Sequence, residues 1–459
     1  MNGALGDCVA FFGVNFTMFI VVPFLAVCAA LDSADFQVVG GEWNVRQQLE
    51  HSQVVGSDFG FAMYGQGDVD GDGVADLIVG APSDSTGGWS ENGSVFVYSG
   101  LTYQQLYKFS GNSDLGSLGF AVTATDLNND GYADIIASEY FQATIYIWSG
   151  ANGQLMNTFT LPGAQYFGED LEIVADRDGD GINEILIGTS DATVNGMTFA
   201  GRVQLRSGAT GALIHQWFGA KSKDNFEAAV TELGDITGDG IGEFAIGIPG
   251  WDFFDREGAI QVIDGATYVA VKSFWTGAAF GQLGIDLANP GDVNGDGVGD
   301  LLASATGYGS YDGKVYAFDG ASQFSWVIYG IPGQGNYDFF GENIAAAGDV
   351  NQDGFADFLA GASEANAGGP TSPGYVDLYS GADGSLIKRW TGEGDWDHMG
   401  RVRLADDFNG DGDPEILLGA NGVQTTPGYV KVVGLNAFLK LSARELSASS
   451  GTTVGVHRS

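Results

Sequence analysis

The sequence predicts an all-β protein: a seven-bladed β-propeller of four-stranded antiparallel blades, with a calcium loop in each blade. Three observations predict it. A nine-residue acidic motif recurs seven times, at start-to-start spacings of 58, 50, 59, 57, 57 and 58 residues. Short runs rich in Val, Ile, Phe and Tyr flank every copy and end at Gly, which is the pattern of strands and turns. Glycine supplies 74 of 459 residues without the G-X-Y period of collagen. The repeat is too long for leucine-rich or helical units and suits four short strands with their loops.

Composition narrows the function classes. Asp and Glu number 58 against 18 Lys and Arg, a formal net charge of -40. Such a chain repels phosphate backbones and anionic lipid headgroups, which excludes a nucleic-acid reader and a polybasic membrane binder. Acidity does not mean disorder here, because 44% of residues are hydrophobic and 12% aromatic, enough apolar side chain to bury a large core.

An uncharged stretch runs from Cys8 to Leu31 and is interrupted by Pro23; small residues (Ala26, Cys28, Ala30) precede Asp32. Residues 1–34 are read as an export signal or an N-terminal anchor, which places the protein outside the cell or at its surface. Both cysteines, Cys8 and Cys28, fall in this segment. The remainder therefore has no disulfide and needs another staple. The propeller is expected over 35–436, and 437–459 is a Ser-rich tail, either disordered or the start of a further domain.

The repeated loop supplies that staple. Its copies start at Asp68, Asp126, Asp176, Asp235, Asp292, Asp349 and Asp407 and read D-x-[DNT]-x-D-G-x-x-[DE]. Position 3 is Asp70, Asn128, Asp178, Thr237, Asn294, Asn351 or Asn409. Position 5 is Asp72, Asp130, Asp180, Asp239, Asp296, Asp353 or Asp411, and position 9 is Asp76, Asp134, Glu184, Glu243, Asp300, Asp357 or Glu415. Alternate oxygen-bearing side chains in a tight turn, with Gly at position 6 for the bend, suit calcium, which takes six to eight oxygen ligands. Position 7 would add a backbone carbonyl, from Val74, Tyr132, Ile182, Ile241, Val298, Phe355 or Asp413. An EF-hand would need Glu at position 12, where Val79, Ala137, Ile187, Ile246, Ala303, Ala360 and Leu418 stand. Magnesium, which keeps several waters, fits such a cage less well. The ligand positions hold 23 carboxylates, whose crowding without cations would be repulsive in all seven loops. Up to seven calcium ions are expected.

The flanks give the strands. Ahead of the loop comes an aromatic-Gly start, as in FGFAMYGQGD from Phe59, FGQLGIDLANPGD from Phe280 and FGENIAAAGD from Phe340. Behind it comes a buried strand such as LIVGAP from Leu77 or FLAGAS from Phe358. A third strand ends at Gly, as in GSVFVYSG from Gly93, and a fourth closes each unit, as in LIHQWFG or VKSFWTG. Trp217, Trp275 and Trp390, at the ends of fourth strands, are expected in the core. The last unit lacks a clean fourth strand, and WNVRQQLE from Trp43 is expected to complete it.

The aromatic-Gly start, the acidic loop and Gly80-Ala81-Pro82 together resemble the FG-GAP repeats of the integrin α-subunit β-propeller, over about Phe36 to Gly434. The repeats starting at Asn225 and His398 depart from the aromatic-Gly pattern. The resemblance implies a calcium loop between the first and second strands of each blade, and a binding or adhesion module that works without catalysis as a single monomeric propeller. Its protein or carbohydrate ligand would sit on the opposite face, built by the loops joining strands two to three and four to one. Trp89, Tyr140, Trp251, Phe253, Tyr308, Tyr311, Tyr337 and Trp396 are the contact candidates there, since Trp and Tyr combine large contact area with a polar handle. Two alternatives stand beside this reading: a calcium-stiffened surface protein without a specific ligand, and a calcium-dependent polysaccharide-acting enzyme. The four His are scattered, and HExxH, GxSxG and a phosphate loop are all missing from the sequence. No nucleic acid or nucleotide cofactor is expected.

Overall fold

A computed structural model of the chain describes residues 36–51, 56–161, 166–226, 229–250, 257–322, 327–333, 337–364, 373–410, 412–422 and 427–441. The segment 1–34 lies outside the described residues, as does the tail beyond 441. Residues 43–435 form one compact unit, and the described residues 36–42 and 436–441 group apart from it.

The described strands form seven four-stranded antiparallel sheets. In the first blade these are Ala62–Tyr64, Leu77–Ala81, Ser94–Tyr98 and Gln105–Ser110, paired in sequence order. The last sheet is built differently. Its first three strands are Met399–Leu404, Ile416–Ala420 and Tyr429–Leu441, and the fourth is the N-terminal strand Phe36–Glu50. The first strands of successive blades touch one another all the way round, from the first blade to the seventh and back. That closed ring is a β-propeller, whose radial repetition leaves only short, protected strand edges. Helix is limited to two single turns among the described residues, Tyr140–Gln142 and Tyr308–Tyr311. No described helix is long and apolar enough to cross a membrane.

Second and third strands are buried on both faces, as in Leu77–Ala81 and Tyr375–Tyr379, whereas the fourth strand Gln105–Ser110 alternates with solvent. Their near-continuous apolar sequences follow from that position, because each blade is covered by a neighbour on either side. Phe340, Phe358 and Val315, for example, pack between the fifth and sixth blades.

The glycines of the repeat mark where blades touch most closely. A β-carbon on Gly80, in the second strand of blade 1, would stand 2.0 Å from the carbonyl oxygen of Gly119, at the entry to blade 2. The same approach recurs between Gly247 and Gly284 (2.1 Å) and between Gly361 and Gly400 (1.8 Å). Gly119 and Gly284 also hold φ of +89° and +96°, which a side chain would resist. The motif is thus a backbone-to-backbone contact between neighbouring blades.

Two expectations are corrected. Blade 5 does not enter at Phe280-Gly281. Its entry pair is Leu283-Gly284, where Leu283 is fully buried and bridges Gly258, while Phe280 is 59% exposed. Leu118-Gly119 and Met399-Gly400 occupy the same place in blades 2 and 7. The requirement is an apolar side chain that fills the blade interface, and an aromatic ring is one way to meet it. Trp275 is likewise not in the core. The strand Ala270–Phe274 puts Phe274 opposite Ile260, the place that Trp217 and Trp390 hold against Val203 and Val376. Trp275 is therefore one residue beyond the inward position and is 54% exposed.

Blade 1 contains a buried charge cluster. The side chain of Asp84 is fully buried and lies 3.1 Å from Lys108 Nζ and 3.3 Å from His51 Nε2. Burial pushes its pKa up, but hydrogen bonds from His51 and Ser94 and the Lys108 ammonium overcome this and hold it well below the usual carboxylate range. A carboxylate depressed in the folded state adds stability above its unfolded pKa of about 3.9 and loses it as pH falls from there toward the folded value. Asp84→Ala is expected to cost about 3 kcal/mol at pH 7, since it strands the partly buried Lys108 ammonium and removes the hydrogen-bond partner of His51. Urea unfolding should show that difference shrinking below about pH 4; a gap that stays constant to pH 2 would show that the charge is not what matters.

Candidate functional site

In all seven blades the acidic loop lies between the first and second described strands, and the backbone folds it around its own carboxylates. In loop 1 Asp68 accepts from the N–H groups of Gly71 (2.6 Å) and Gly73 (2.8 Å). Asp70 accepts from Asp72 N–H and Asp72 from Val74 N–H. Asp76 accepts from Val69 N–H at 2.7 Å, and its second oxygen takes the N–H of Gly100, just past the third strand. The carboxylates at positions 1, 3 and 9 of this loop are thereby brought close to one another.

The other loops keep this geometry. The first Asp is held by glycine N–H groups in loops 3, 4, 5 and 7, at Asp176, Asp235, Asp292 and Asp407. In loops 2 and 6, Asp126 and Asp349 are held by the N–H groups at positions 5 and 6. Asn294 and Asn351 accept from the N–H of Asp296 and Asp353, so their amide oxygens stand where Asp70 has a carboxylate. Position 9 is buried in all seven loops. Asp134, Asp300 and Asp357 repeat the bond of Asp76 to the glycine after the third strand, here Gly150, Gly320 and Gly381. Sequence reasoning missed this clasp. Its signal was the glycine that ends the third strand in every repeat. Asp411 lies outside the described residues.

The electrostatics divide the positions. Burial pushes Asp76, Asp134, Asp300 and Asp357 up to about 6 against the opposing effect of their backbone bonds. Exposed Asp176 and Asp235 are instead held down by glycine N–H groups. Three groups bring carboxylate oxygens within 4.8 Å of one another: Asp68, Asp70 and Asp76; Asp176, Asp178 and Glu184; Asp235, Asp239 and Glu243. The donors are all oxygen, which suits a hard cation and no soft metal. Glu184 tests the fit directly. Its Oε1 accepts from the N–H groups of Arg177 and Asp178, while Oε2 is buried without a hydrogen-bond partner. A fully buried carboxylate oxygen is costly unless something positive or donating meets it, and a cation in this loop would meet it. The residues fit a divalent ion.

At the opposite ends of the blades the contact candidates separate. Tyr311 and Tyr337 are 43% and 50% exposed and stack with centroids 5.9 Å apart, joining the loop inside blade 5 to the loop that leads into blade 6. Trp89 is 45% exposed in blade 1. Tyr308 lies partly buried under the Lys314 ammonium, and Trp396 is half-buried against His398. Tyr140 is buried, stacked at 4.1 Å on Phe120, and the exposed ring beside it is Phe141. Trp251 and Phe253 lie outside the described residues. A cavity of about 470 Å³ opens among the loops of blades 3 to 5, with Glu169, Asp191, Phe199 and Lys223 in its wall. Burial pushes Glu169 up to about 7 despite its hydrogen bond from Ser190. None of these four residues carried a sequence signal, because the wall is assembled from separate loops.

Comparison with known proteins agrees with this architecture. Residues 68–137 match the FG-GAP-like repeat family and residues 340–379 the FG-GAP repeat family. Similar proteins include integrin alpha-4 of Xenopus laevis, 36% identical over 161 residues covering 30% of this chain and 15% of the relative. Integrin alpha-5 of the same species is 26% identical over 224 residues, covering 45% and 21%. Integrin alpha-PS2 of Drosophila melanogaster is 30% identical over 200 residues, covering 39% and 14%. The matched region thus spans about a fifth or less of the length of these relatives.

Proposed function

We propose that this chain, an FG-GAP-repeat β-propeller resembling that of integrin α subunits, is an exported calcium-binding adhesion module that takes a protein partner on the face opposite its acidic loops. Each loop holds one calcium ion, through side-chain oxygens at positions 1, 3, 5 and 9 and the carbonyl at position 7. The observation that carries the metal assignment is the all-oxygen loop built seven times, with buried Glu184 Oε2 lacking any other partner. Calcium there neutralises carboxylates and stiffens the propeller, and its contribution is structural. Residues 1–34 direct export or anchor the chain, 35–436 form the propeller, and 437–459 follow it as a tail.

The ligand assignment is supported by the integrin relatives and by what the opposite face offers. The Tyr311–Tyr337 stack presents two exposed rings on adjacent loops, and the cavity beside Phe199 and Lys223 supplies a recess with charged walls. Exposed aromatics of this kind anchor partners because they bury much area at little entropic cost. The test is adhesion of cells, and of purified extracellular proteins and glycans, to the immobilised calcium-loaded protein. Protein binding that Tyr311→Ala with Tyr337→Ala, or Phe199→Ala with Lys223→Ala, weakens about ten-fold or more is the expected result. Binding to glycans alone would shift the ligand class, and no binding by a folded, calcium-loaded protein would overturn the adhesion reading.

A further inference from the structure

The acidic loops touch one another at repeated points, and the contacts fall beside ligand positions. At the junction of loops 1 and 2, the carbonyl oxygen of Asp68, position 1, accepts from the N–H of Ala133, position 8 of the next loop, at 2.7 Å. Ala133 directly precedes Asp134, the buried carboxylate at position 9. The Tyr132 ring then lies over Gly71, where an added β-carbon would be 2.5 Å from Cε1. The junction of loops 5 and 6 repeats both features. Asp292 O faces Ala356 N–H at 3.5 Å, and the Phe355 ring covers Gly295.

Loops 3 and 4 reach the same end with a side chain. Arg177 is position 2 of loop 3, and its main-chain N–H binds the Glu184 carboxylate. Its guanidinium, 6% exposed, crosses to blade 4, where it pairs with Glu232 and donates to the carbonyl oxygen of Gly242 at 3.1 Å. Gly242 is position 8 of loop 4, next to Glu243. In all three junctions the start of one loop therefore fixes the residue that precedes the last ligand of the next.

We propose that the loops take up calcium as coupled pairs, 1 with 2, 3 with 4 and 5 with 6, with Arg177 as the positioning residue for the middle pair. This rests on the assignment of the loops as calcium sites. Closing loop 3 around its ion fixes Glu184, and with it the Arg177 backbone. The clamped guanidinium then sets Gly242 and so Glu243, and loop 4 has less ordering left to do when its own ion arrives. A second ligand that finds part of the ordering done binds more tightly, and the coupling is reciprocal.

The test is hydrogen–deuterium exchange of the full chain across a series of free calcium concentrations, with a protection midpoint read separately for each loop. Asp180→Ala removes a ligand from loop 3 at an exposed position. Its expected effect is to raise the midpoint of loop 4, residues 235–243, about five-fold or more, while loop 6 stays where it was. On an Arg177→Ala background the same substitution should no longer move loop 4. A loop 4 midpoint that shifts less than two-fold in Asp180→Ala, or one that shifts equally with and without Arg177, overturns the coupling. Should Arg177→Ala fail to fold, Asp72→Ala read at loop 2 asks the same question of the first pair, with the same two outcomes. Wild-type loops that gain no protection from calcium overturn the calcium assignment itself, a result distinct from seven loops that are each protected independently.

Discussion

Removing calcium with EGTA is expected to lower the melting temperature by about 10 °C, and adding it back should restore the loss with close to seven ions bound. The size follows from linkage. At tenfold excess over its dissociation constant, a ligand that binds only the folded state adds about 1.4 kcal/mol per site, so seven independent sites add on the order of 10 kcal/mol. Unfolding entropy of about 2.1 cal/mol/K per residue, over a propeller of roughly 400 residues, converts this to about 10 °C. The charge gives the same direction, because seven divalent ions would take the formal net charge from -40 to -26. Magnesium at equal concentration should restore less, since it holds several waters and demands octahedral geometry. A melting temperature that EGTA leaves unchanged would mean that the acidic loops are held by their backbone hydrogen bonds alone.

Gly361→Ala is expected to destabilise the protein by about 3 kcal/mol, at the upper end of the usual cost of overpacking. The new methyl carbon would stand 1.8 Å from the carbonyl oxygen of Gly400 and 2.7 Å from its carbon. Both are backbone atoms of the next blade, so relief requires the two sheets to separate and admits no simple rotamer change. Gly394→Ala is the control, because nothing lies within 4 Å of its β-carbon position and its φ is not positive. The urea midpoint measures the comparison. Equal midpoints for the two variants would show that blades 6 and 7 are packed less closely than Gly361 and Gly400 indicate.

Much of this protein can be read from the sequence because the repeat supplies the same local rule seven times. Loop residues such as Asp68 and Asp76 are fixed by their spacing, since the carboxylates and the glycines that bend the chain around them lie within nine residues. The entry of blade 5 was misplaced because Phe280-Gly281 matches the aromatic-Gly pattern. The count from entry to loop was the better guide: eight or nine residues separate Phe59, Leu118, Phe167, Phe340 and Met399 from their loops, and only Leu283 keeps that distance in blade 5. Trp275 was misjudged for a related reason. Its strand carries one extra residue before the glycine, and strand alternation turns a shift of one into a change of face.

The sequence by itself determined the number of blades, the place of the acidic loops and their donor set, because each depends on residues close together in the chain. The tertiary structure decided which residues meet across blades: Arg177 with Gly242, Tyr132 with Gly71, Tyr311 with Tyr337, and the wall formed by Glu169, Asp191, Phe199 and Lys223. These contacts link separate loops, in most cases across neighbouring repeats, and ring closure sets their distances. A periodic sequence specifies each repeat almost independently of the next, so contacts between repeats appear only once the sheets have packed.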